Sequence, residues 1–475
     1  MHPAFLSGDL ARLTHLHVTD CSCGREHRIF TQEVVLGAGI LRGKLGPLAQ
    51  RFFPAGAQVA IVADSHTWAA SAGGTSGASA SPAGETIAAA LRAAGFSSQR
   101  EVLAPPAGGE LHADDATVAR LTAALKKLPA GARAVVALGS GTVNDLCKAA
   151  CTALDAPLIT IPTAASMNGY TSAIAAILSN GVKTTQPCRP PAAILADAAL
   201  IATAPRAMAA AGYGDLLSKY ASGADWLLGH ILFDDYYCAG PARVVDRAIQ
   251  NAIAKRREIG ANQPAGLQAL TEALLLSGYS MALAGSSSPA SGGEHLISHL
   301  WDMTAHWSHR TPALHGAQTG VTTLIALTLY EKILALDAEE LLKLPLTPAF
   351  ATPAALKKGL AKPFRELAPA VQPFAAKKFL TLEAMAHRRK LIFDHWEELR
   401  DELRAITVAA KRLRGWLTDA GAPVTVQALG IGAEEARFAY DWARWIRDRY
   451  TVLDLAADLG MLEFWREEAL AAAGV

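Results

Sequence analysis

The chain has 475 residues, 18% of them charged and 51% hydrophobic, with a formal net charge of +1. That length allows two or three domains around a large buried core, and that balance excludes a disordered tail. The near-zero charge gives no electrostatic reason to expect nucleic acid or an anionic membrane as partner.

The start, MHPAFLSGDLARLTHLHV, lacks the cationic start and apolar run of a signal peptide. Six cysteines (Cys21, Cys23, Cys147, Cys151, Cys188, Cys238) are too sparse for a disulfide framework and fit a reducing compartment. Alanine-rich segments such as Pro191–Ala211 are interrupted by Asp197, Pro205 and Arg206, so none reads as a membrane span. The expectation is a cytoplasmic protein.

Short apolar runs alternate with helical patterns as far as Ala204. Ala57–Ala63 reads as a strand ending at Asp64, Thr86–Ala94 as a helix, Arg100–Leu103 as a strand and Ala116–Leu128 as a helix. Ala134–Leu138 and Leu158–Ile161 read as further strands, with a helix between them, and Ala192–Ala196 as the last strand. Strands separated by helices of this length indicate βαβ units and a parallel sheet. Ser71–Gly84 (SAGGTSGASASPAG) reads as a flexible surface insertion.

From Pro205 onward strand signals stop. Helices are expected over Pro205–Gly229, Arg243–Arg257, Gly266–Ala284, His295–Trp307, Gln318–Leu336, Lys377–Arg414 and Ala433–Arg449. The expected organisation is an α/β nucleotide-binding domain over residues 1–204 and an all-α domain over residues 205–475.

Four features could carry chemistry. Gly139-Ser140-Gly141-Thr142 lies between a strand and a helix, where glycines let a backbone approach a pyrophosphate and the helix N-terminus adds N–H donors. A plain structural turn fits the same residues, and Asn144 occupies the place of the third Rossmann glycine. Asp64, at a strand end, suits adenosine ribose hydroxyls, but a helix cap or turn is the plainer reading of it by itself. Asp215 and Lys219 are four apart, on one helix face, in an apolar setting.

His295 and His299 also share one helix face, and His315 opens another helix. Two imidazoles, a third, and a carboxylate would suit a divalent transition metal such as zinc; satisfied core histidines are the plainer alternative. No Glu follows His295 as in H-E-x-x-H, which excludes that protease pattern. Cys21-Ser22-Cys23-Gly24-Arg25-Glu26-His27 could be read as half of a metal site, but a closed one would need a ligand from afar, so a structural role is the preferred reading.

The order of Asp64 after a strand, G-S-G-T-V-N-D, P-T-A-A-S-M-N-G-Y-T-S, G-V-K-T-T, G-Y-G-D-L-L-S-K, S-G-G-E-H-L-I-S-H and L-H-G resembles the sn-glycerol-1-phosphate dehydrogenases. These belong with dehydroquinate synthase, glycerol dehydrogenase and the iron-containing alcohol dehydrogenases. The resemblance covers nearly the whole chain and includes the Cys-Ser-Cys-Gly start. It implies a dehydroquinate synthase-like fold, an N-terminal nucleotide domain followed by a helical one, with the site in the cleft between them. It also implies NAD(H)- or NADP(H)-linked reduction of dihydroxyacetone phosphate and an assembly of dimers or larger.

Carried over residue by residue, the resemblance makes Asp215, His295 and His315 the ligands of one divalent metal, zinc first, with nickel or iron as alternatives. His299 falls on the substrate-contacting histidine, a relay for the proton that reaches the alkoxide. Asp64, Gly139, Gly141, Thr142, Val143, Asn144, Asp145, Thr163, Ala164, Ala165, Ser166 and Ser172 fall on dinucleotide contacts. Asn168 falls on a substrate position, and Lys183, in a loop matched to one that handles phosphate, is a candidate for charge stabilisation.

Three positions depart from the family pattern. Asn168 stands where Asp is usual, Ser288 where Arg often stands, and Ala317 where many relatives have Glu. All three fall on substrate-facing or adjacent positions. They leave open an unphosphorylated polyol or a cyclising, synthase-like reaction. A non-catalytic nucleotide binder is disfavoured, because it has no need to keep the three ligand positions together.

Overall fold

The run Arg133–Gly139 is buried at every position, as a strand must be when helices cover both faces of its sheet. In the computed structural model, which describes residues 2–71, 81–105, 111–179, 182–308 and 310–475, it is the fourth of six parallel strands in chain order. A two-stranded antiparallel ribbon, β1 (His17–Val18) and β2 (His27–Arg28), precedes them. The sheet comprises β3 (Glu33–Gly37), β4 (Gln58–Ala63), β5 (Ser97–Val102), β6 (Arg133–Gly139), β7 (Leu158–Pro162) and β10 (Ala193–Asp197). Its order is β3-β10-β7-β6-β4-β5. An antiparallel hairpin, β8 (Ile174–Ser179) and β9 (Val182–Pro187), interrupts the alternation before β10.

From β4 the chain moves outward to the edge strand β5, then returns to lay β6 on the other side of β4 and continues to β7 and β10. The strand order therefore reverses between β4 and β6. Open α/β sheets bind ligands in the crevice at the carboxyl ends of the strands at such a reversal. Ala63 pairs with Leu138 and Gly139 with Pro162, so Asp64, the glycine turn and Thr163 all follow the ends of neighbouring strands.

Helices α1 (Leu41–Phe52) and α2 (Ala83–Ala93) cover one face, burying Leu45, Leu48, Ile87 and Leu91 against Val59, Ile61 and Val136. Helices α3 (Asp115–Lys126) and α4 (Gly141–Leu154) cover the other, burying Leu121, Leu125, Leu146 and Cys147 against Val62, Val135 and Ala137. Burial at about 25 cal/mol per Å² of apolar surface on both faces makes this sheet rigid.

No strand follows Asp197 among the described residues. The expected helix over Pro205–Gly229 is two helices, α5 (Arg206–Leu217) and α6 (Lys219–Phe233), broken at Ser218. Asp215 and Lys219 thus lie on successive helices, not on one face of a single helix. The expected Lys377–Arg414 helix is likewise divided, mainly into Leu382–Asp394 and Trp396–Ile406. The remaining helices used below are α7 (Pro264–Ala284), α8 (Gly293–Trp307) and α9 (His315–Ala335). No described helix is long and apolar enough to cross a membrane. The insertion expected over Ser71–Gly84 falls largely on residues 72–80, which lie outside the described residues.

Two compact units emerge. One comprises Met1–Leu216, Cys238–Ser287 and Asp419–Gly421; the other comprises Leu217–Tyr237, Ser288–Thr418 and Ala422–Val475. The first contains the sheet together with α7, and the second is helical.

Candidate active site

In the sheet-bearing unit, Gly139 ends β6 and Gly141 begins α4. A Cβ at Gly139 would lie 2.4 Å from Val143 Cβ, so only glycine lets the helix start this close to the strand. A Cβ at Gly141 would lie 3.1 Å from Met167 Cγ. The first intrahelical bond runs from Asn144 N–H to Ser140 O at 3.0 Å, so the amides of Gly141, Thr142 and Val143 precede the α4 ladder. Amides in that position, at the positive end of the helix dipole, suit a phosphate.

Other positions matched to dinucleotide contacts have structural partners. Asp64 caps the short helix Ser65–Ala69: its Oδ1 accepts from Thr67 N–H at 2.8 Å, and its own N–H donates to Thr67 Oγ1 at 3.0 Å. Asn144 is buried and accepts from Thr160 Oγ1 at 3.0 Å. Asp145 accepts from Ala176 N–H at 3.0 Å and pairs with Lys148 Nζ at 3.0 Å. Thr163 donates its N–H to Gly139 O at 3.1 Å; Ala164 and Ala165 are buried beneath it, and Ser166 is half-buried. The Ser172 hydroxyl is buried and donates to Gly169 O at 2.9 Å.

Lys148, which sequence reasoning does not single out, organises this corner. It is fully buried, and its ammonium reaches Asp145, Gly169 O at 2.8 Å, Ser172 Oγ at 3.2 Å and Ile174 O. A buried lysine is tolerable only with partners of this kind, and here they bind the whole turn of Gly169–Ile174 to α4. The only signal in the sequence is a cation three residues after Asp145 in an otherwise apolar helix.

That same loop is gripped from its other side. A Cβ at Gly212 in α5 would fall 2.0 Å from Ala165 O, and one at Gly278 in α7 would fall 1.9 Å from Thr171 Oγ1. Both helices therefore touch the loop through bare backbone. Thr171 Oγ1 donates to Leu275 O at 2.6 Å, and Tyr170 donates from its hydroxyl to Ala164 O at 2.7 Å. Asp215, on α5 and buried, accepts from Asn168 N–H through Oδ2 at 2.8 Å. Lys183, expected in a loop, stands instead on strand β9 opposite Leu178, half-buried.

In the helical unit, three imidazoles converge. Ring centroids lie 5.8 Å apart for His295 and His299, 5.1 Å for His295 and His315, and 5.4 Å for His299 and His315. Helical spacing on α8 produces the first pair, and the start of α9 supplies the third. His295 Nδ1 donates to Glu294 Oε1 at 2.7 Å, which leaves Nε2 carrying the ring's electron pair. Ser298 donates its hydroxyl hydrogen to Gln318 Oε1 at 3.1 Å, so its oxygen accepts from His315 Nδ1 at 3.4 Å. That chain gives His315 the same tautomer. Gln318 is itself fixed, donating to Asp302 Oδ1 and Ala313 O at 2.9 Å each.

Asp302 is a second residue that sequence reasoning passes over. Donor atoms of His299, Asp302 and His315 all lie within 4.8 Å of one another. Imidazoles oriented by a carboxylate at His295 and by a hydroxyl at His315, with a further carboxylate nearby, are a donor set that suits a divalent transition metal. Ser288 lies in the 3₁₀ turn Ser288–Ala290, and Ala317 is buried in the first turn of α9.

The entry into α8 explains the S-G-G-E sequence. A Cβ at Gly292 would sit 2.3 Å from Asp225 Oδ2 and 2.8 Å from Glu294 Oε2. Gly293 N–H donates to Asp225 Oδ2 at 2.6 Å, and Val452 N–H donates to Oδ1 at 2.7 Å. Burial, and secondarily the charge of Glu294, push the Asp225 carboxyl up to about 7, although the bonds from Tyr330, Gly293 and Val452 pull the other way. His295 therefore projects from a helix start packed against buried acids.

A sequence profile of the iron-containing alcohol dehydrogenases matches residues 40–205. A glycerol-1-phosphate dehydrogenase of Halalkalibacterium halodurans is 35% identical over 66% of this chain and 74% of its own length. One of Bacillus velezensis is 32% identical over 78% of this chain and 81% of its own. The chain belongs to the glycerol-1-phosphate dehydrogenase family. The glycerol dehydrogenase of Schizosaccharomyces pombe superposes with a TM-score of 0.57 at 18% identity, covering 94% of this chain and 93% of that one, a likeness of fold. For a glycerol-1-phosphate dehydrogenase, the reversal between β4 and β6 and the glycine turn are where a dinucleotide belongs.

Proposed function

We propose that the chain interconverts dihydroxyacetone phosphate and sn-glycerol 1-phosphate, with NAD(H) or NADP(H) as hydride carrier and one divalent metal, zinc before nickel or iron. Membership of the family makes it an NAD(P)-dependent, metal-containing dehydrogenase, and the match to relatives over 74% and 81% of their length carries the substrate reading. On the residue-by-residue match, Asp215, His295 and His315 hold the metal, and the tautomers of the two histidines support that assignment. When bound, such an ion draws electron density from the substrate carbonyl, and the nicotinamide supplies the hydride.

The chain's own residues do the rest. The amides of Gly141–Val143 bind the pyrophosphate, the close start of α4 keeps them in place, and Asp64 offers an oxygen to the adenosine ribose. His299 moves the proton to the substrate oxygen. Asn168 orients a substrate hydroxyl, and Lys183 offsets phosphate charge. Six free thiols suit a reducing, cytoplasmic setting, and the family resemblance favours a dimer.

Asn168 and Ser288 favour a second reading, an unphosphorylated polyol, because an amide and a hydroxyl replace the charged groups usual there. Rates of NADH oxidation with dihydroxyacetone phosphate and with dihydroxyacetone separate the two. Turnover of the phosphate ester, lost on chelation and restored by a divalent ion, is expected. Turnover of dihydroxyacetone alone would replace the proposal with the second reading.

A further inference from the structure

The Cys21–His27 knuckle looks like half of a metal site, and the fold supplies the missing part from more than two hundred residues away. Cys238, the N-cap of the helix Ala239–Arg243, brings its Sγ to 3.7 Å from Cys21 Sγ and 3.6 Å from His27 Nε2. Cys23 Sγ lies 3.1 Å from the same Nε2. The ligand atoms of Cys21, Cys23, His27 and Cys238 all lie within 4.8 Å of one another. Cys21, His27 and Cys238 are buried and Cys23 is half-buried, all within the sheet-bearing unit.

We propose that these four residues form a second, structural metal site of Cys3His type, made for zinc. Tetrahedral zinc with Zn–S of about 2.3 Å and Zn–N of about 2.0–2.1 Å requires S···S near 3.8 Å and S···N near 3.6 Å. Two of the three recorded separations match those values, and the Cys23–His27 pair has to open by about 0.5 Å. A disulfide would instead need the two sulfurs at about 2.0 Å.

The imidazole is set for the task. His27 is fully buried, and its Nδ1 lies 2.8 Å from Leu283 O, which can only accept. Nδ1 therefore carries the hydrogen and Nε2 presents its electron pair to the sulfurs, the outer hydrogen bond that metal-binding histidines use. Phe5 closes one side, edge-on to the His27 ring at 5.4 Å between centroids. A Cβ at Gly240 would meet that phenyl ring at 2.4 Å, so the helix following Cys238 fits tightly against it. Four protein ligands leave no open position, so the site binds no substrate. Its effect is to staple the ribbon β1–β2 to the start of Ala239–Arg243.

The full-length chain, reconstituted with cobalt(II), tests this directly. Sulfur-to-cobalt charge-transfer absorption in the near ultraviolet is expected, since a carboxylate–imidazole site has no sulfur to produce it. Cys23→Ser, at a half-exposed position, should weaken the band, and Cys238→Ser should abolish it together with one equivalent of zinc in the zinc-purified protein. Should Cys238→Ser fail to fold, release of that zinc equivalent from the unmodified chain by a mercurial gives the same answer. A cobalt chain without the band, a band unchanged in Cys23→Ser, or a Cys21–Cys238 disulfide found by mass spectrometry would each overturn the proposal.

Discussion

The glycine turn after β6 and the histidine cluster on α8 and α9 are built from opposite materials. At the turn, the geometry rests on what is absent: no Cβ at Gly139 and a row of amides ahead of the α4 ladder. At the cluster, it rests on buried and half-buried titratable side chains, two of them held by a further polar partner, His295 by Glu294 and His315 by Ser298 and Gln318. A site made of backbone is damaged by added bulk and indifferent to pH. A site made of side chains is damaged by truncation and carries the protonation of its surroundings. The two places therefore fail separately and in recognisably different ways.

The largest separation is expected for His315→Ala. On the proposed ligand assignment, losing His315 should lower kcat/KM by roughly 10³-fold or more, since the ion stabilises the transition state by several kcal/mol. Metal content should fall with it, while NADH affinity, followed by nicotinamide fluorescence, stays at the wild-type value. An active His315→Ala chain would remove that residue from the ligand set.

Protonation should distinguish the helical region next. Asp225 keeps its proton in the folded chain up to about 7, whereas its unfolded value is 3.8. Between those pH values the folded state binds the extra proton, so stability falls as pH rises, by on the order of 4 kcal/mol across the window. Urea titrations at successive pH values should show this decline in the wild type and a flatter profile in Asp225→Asn. Equal slopes in both would mean the carboxyl is ionised throughout.

Gly139→Ala should have the converse signature. Forcing a Cβ to within 2.4 Å of Val143 costs about 1–3 kcal/mol in displaced α4 packing. NADH affinity should fall about 10- to 100-fold with metal content unchanged, by titration and elemental analysis. The smallest effect belongs to Asp64→Ala. Loss of the cap should cost about 1 kcal/mol of stability, and an additional rise in the KM for NADH would reveal contact with the ribose. A stability loss with no change in that KM would reduce Asp64 to a cap.

How far the sequence speaks depends on the same contrast. Strands β4, β6, β7 and β10 are covered on both faces and read as continuous apolar runs. Edge strand β3, half-exposed at every position and led by Glu33, has no such signature, and neither does the Thr184-Thr185-Gln186 stretch of β9. The break at Ser218 is marked by neither glycine nor proline, so the helical period runs straight through it. The histidine spacing is local and legible. The closure of the Cys21–His27 knuckle by Cys238 is tertiary and has no local trace, and Lys148 has only Asp145 nearby in sequence, its other partners lying on a loop more than twenty residues further on.

The grip of α5 and α7 on the loop Ala165–Thr171 bears on how such an enzyme changes its substrate. Gly212, Gly278, Lys148 and Asp215 all engage that loop through its main chain or through residues other than the Asn168 amide group. Residue 168 is thus an interchangeable tip on a fixed mount. With residue 168 facing the substrate as proposed, exchanging its amide for a carboxylate alters the charge presented there while the mount keeps its shape, so specificity can drift in single steps without rebuilding the fold.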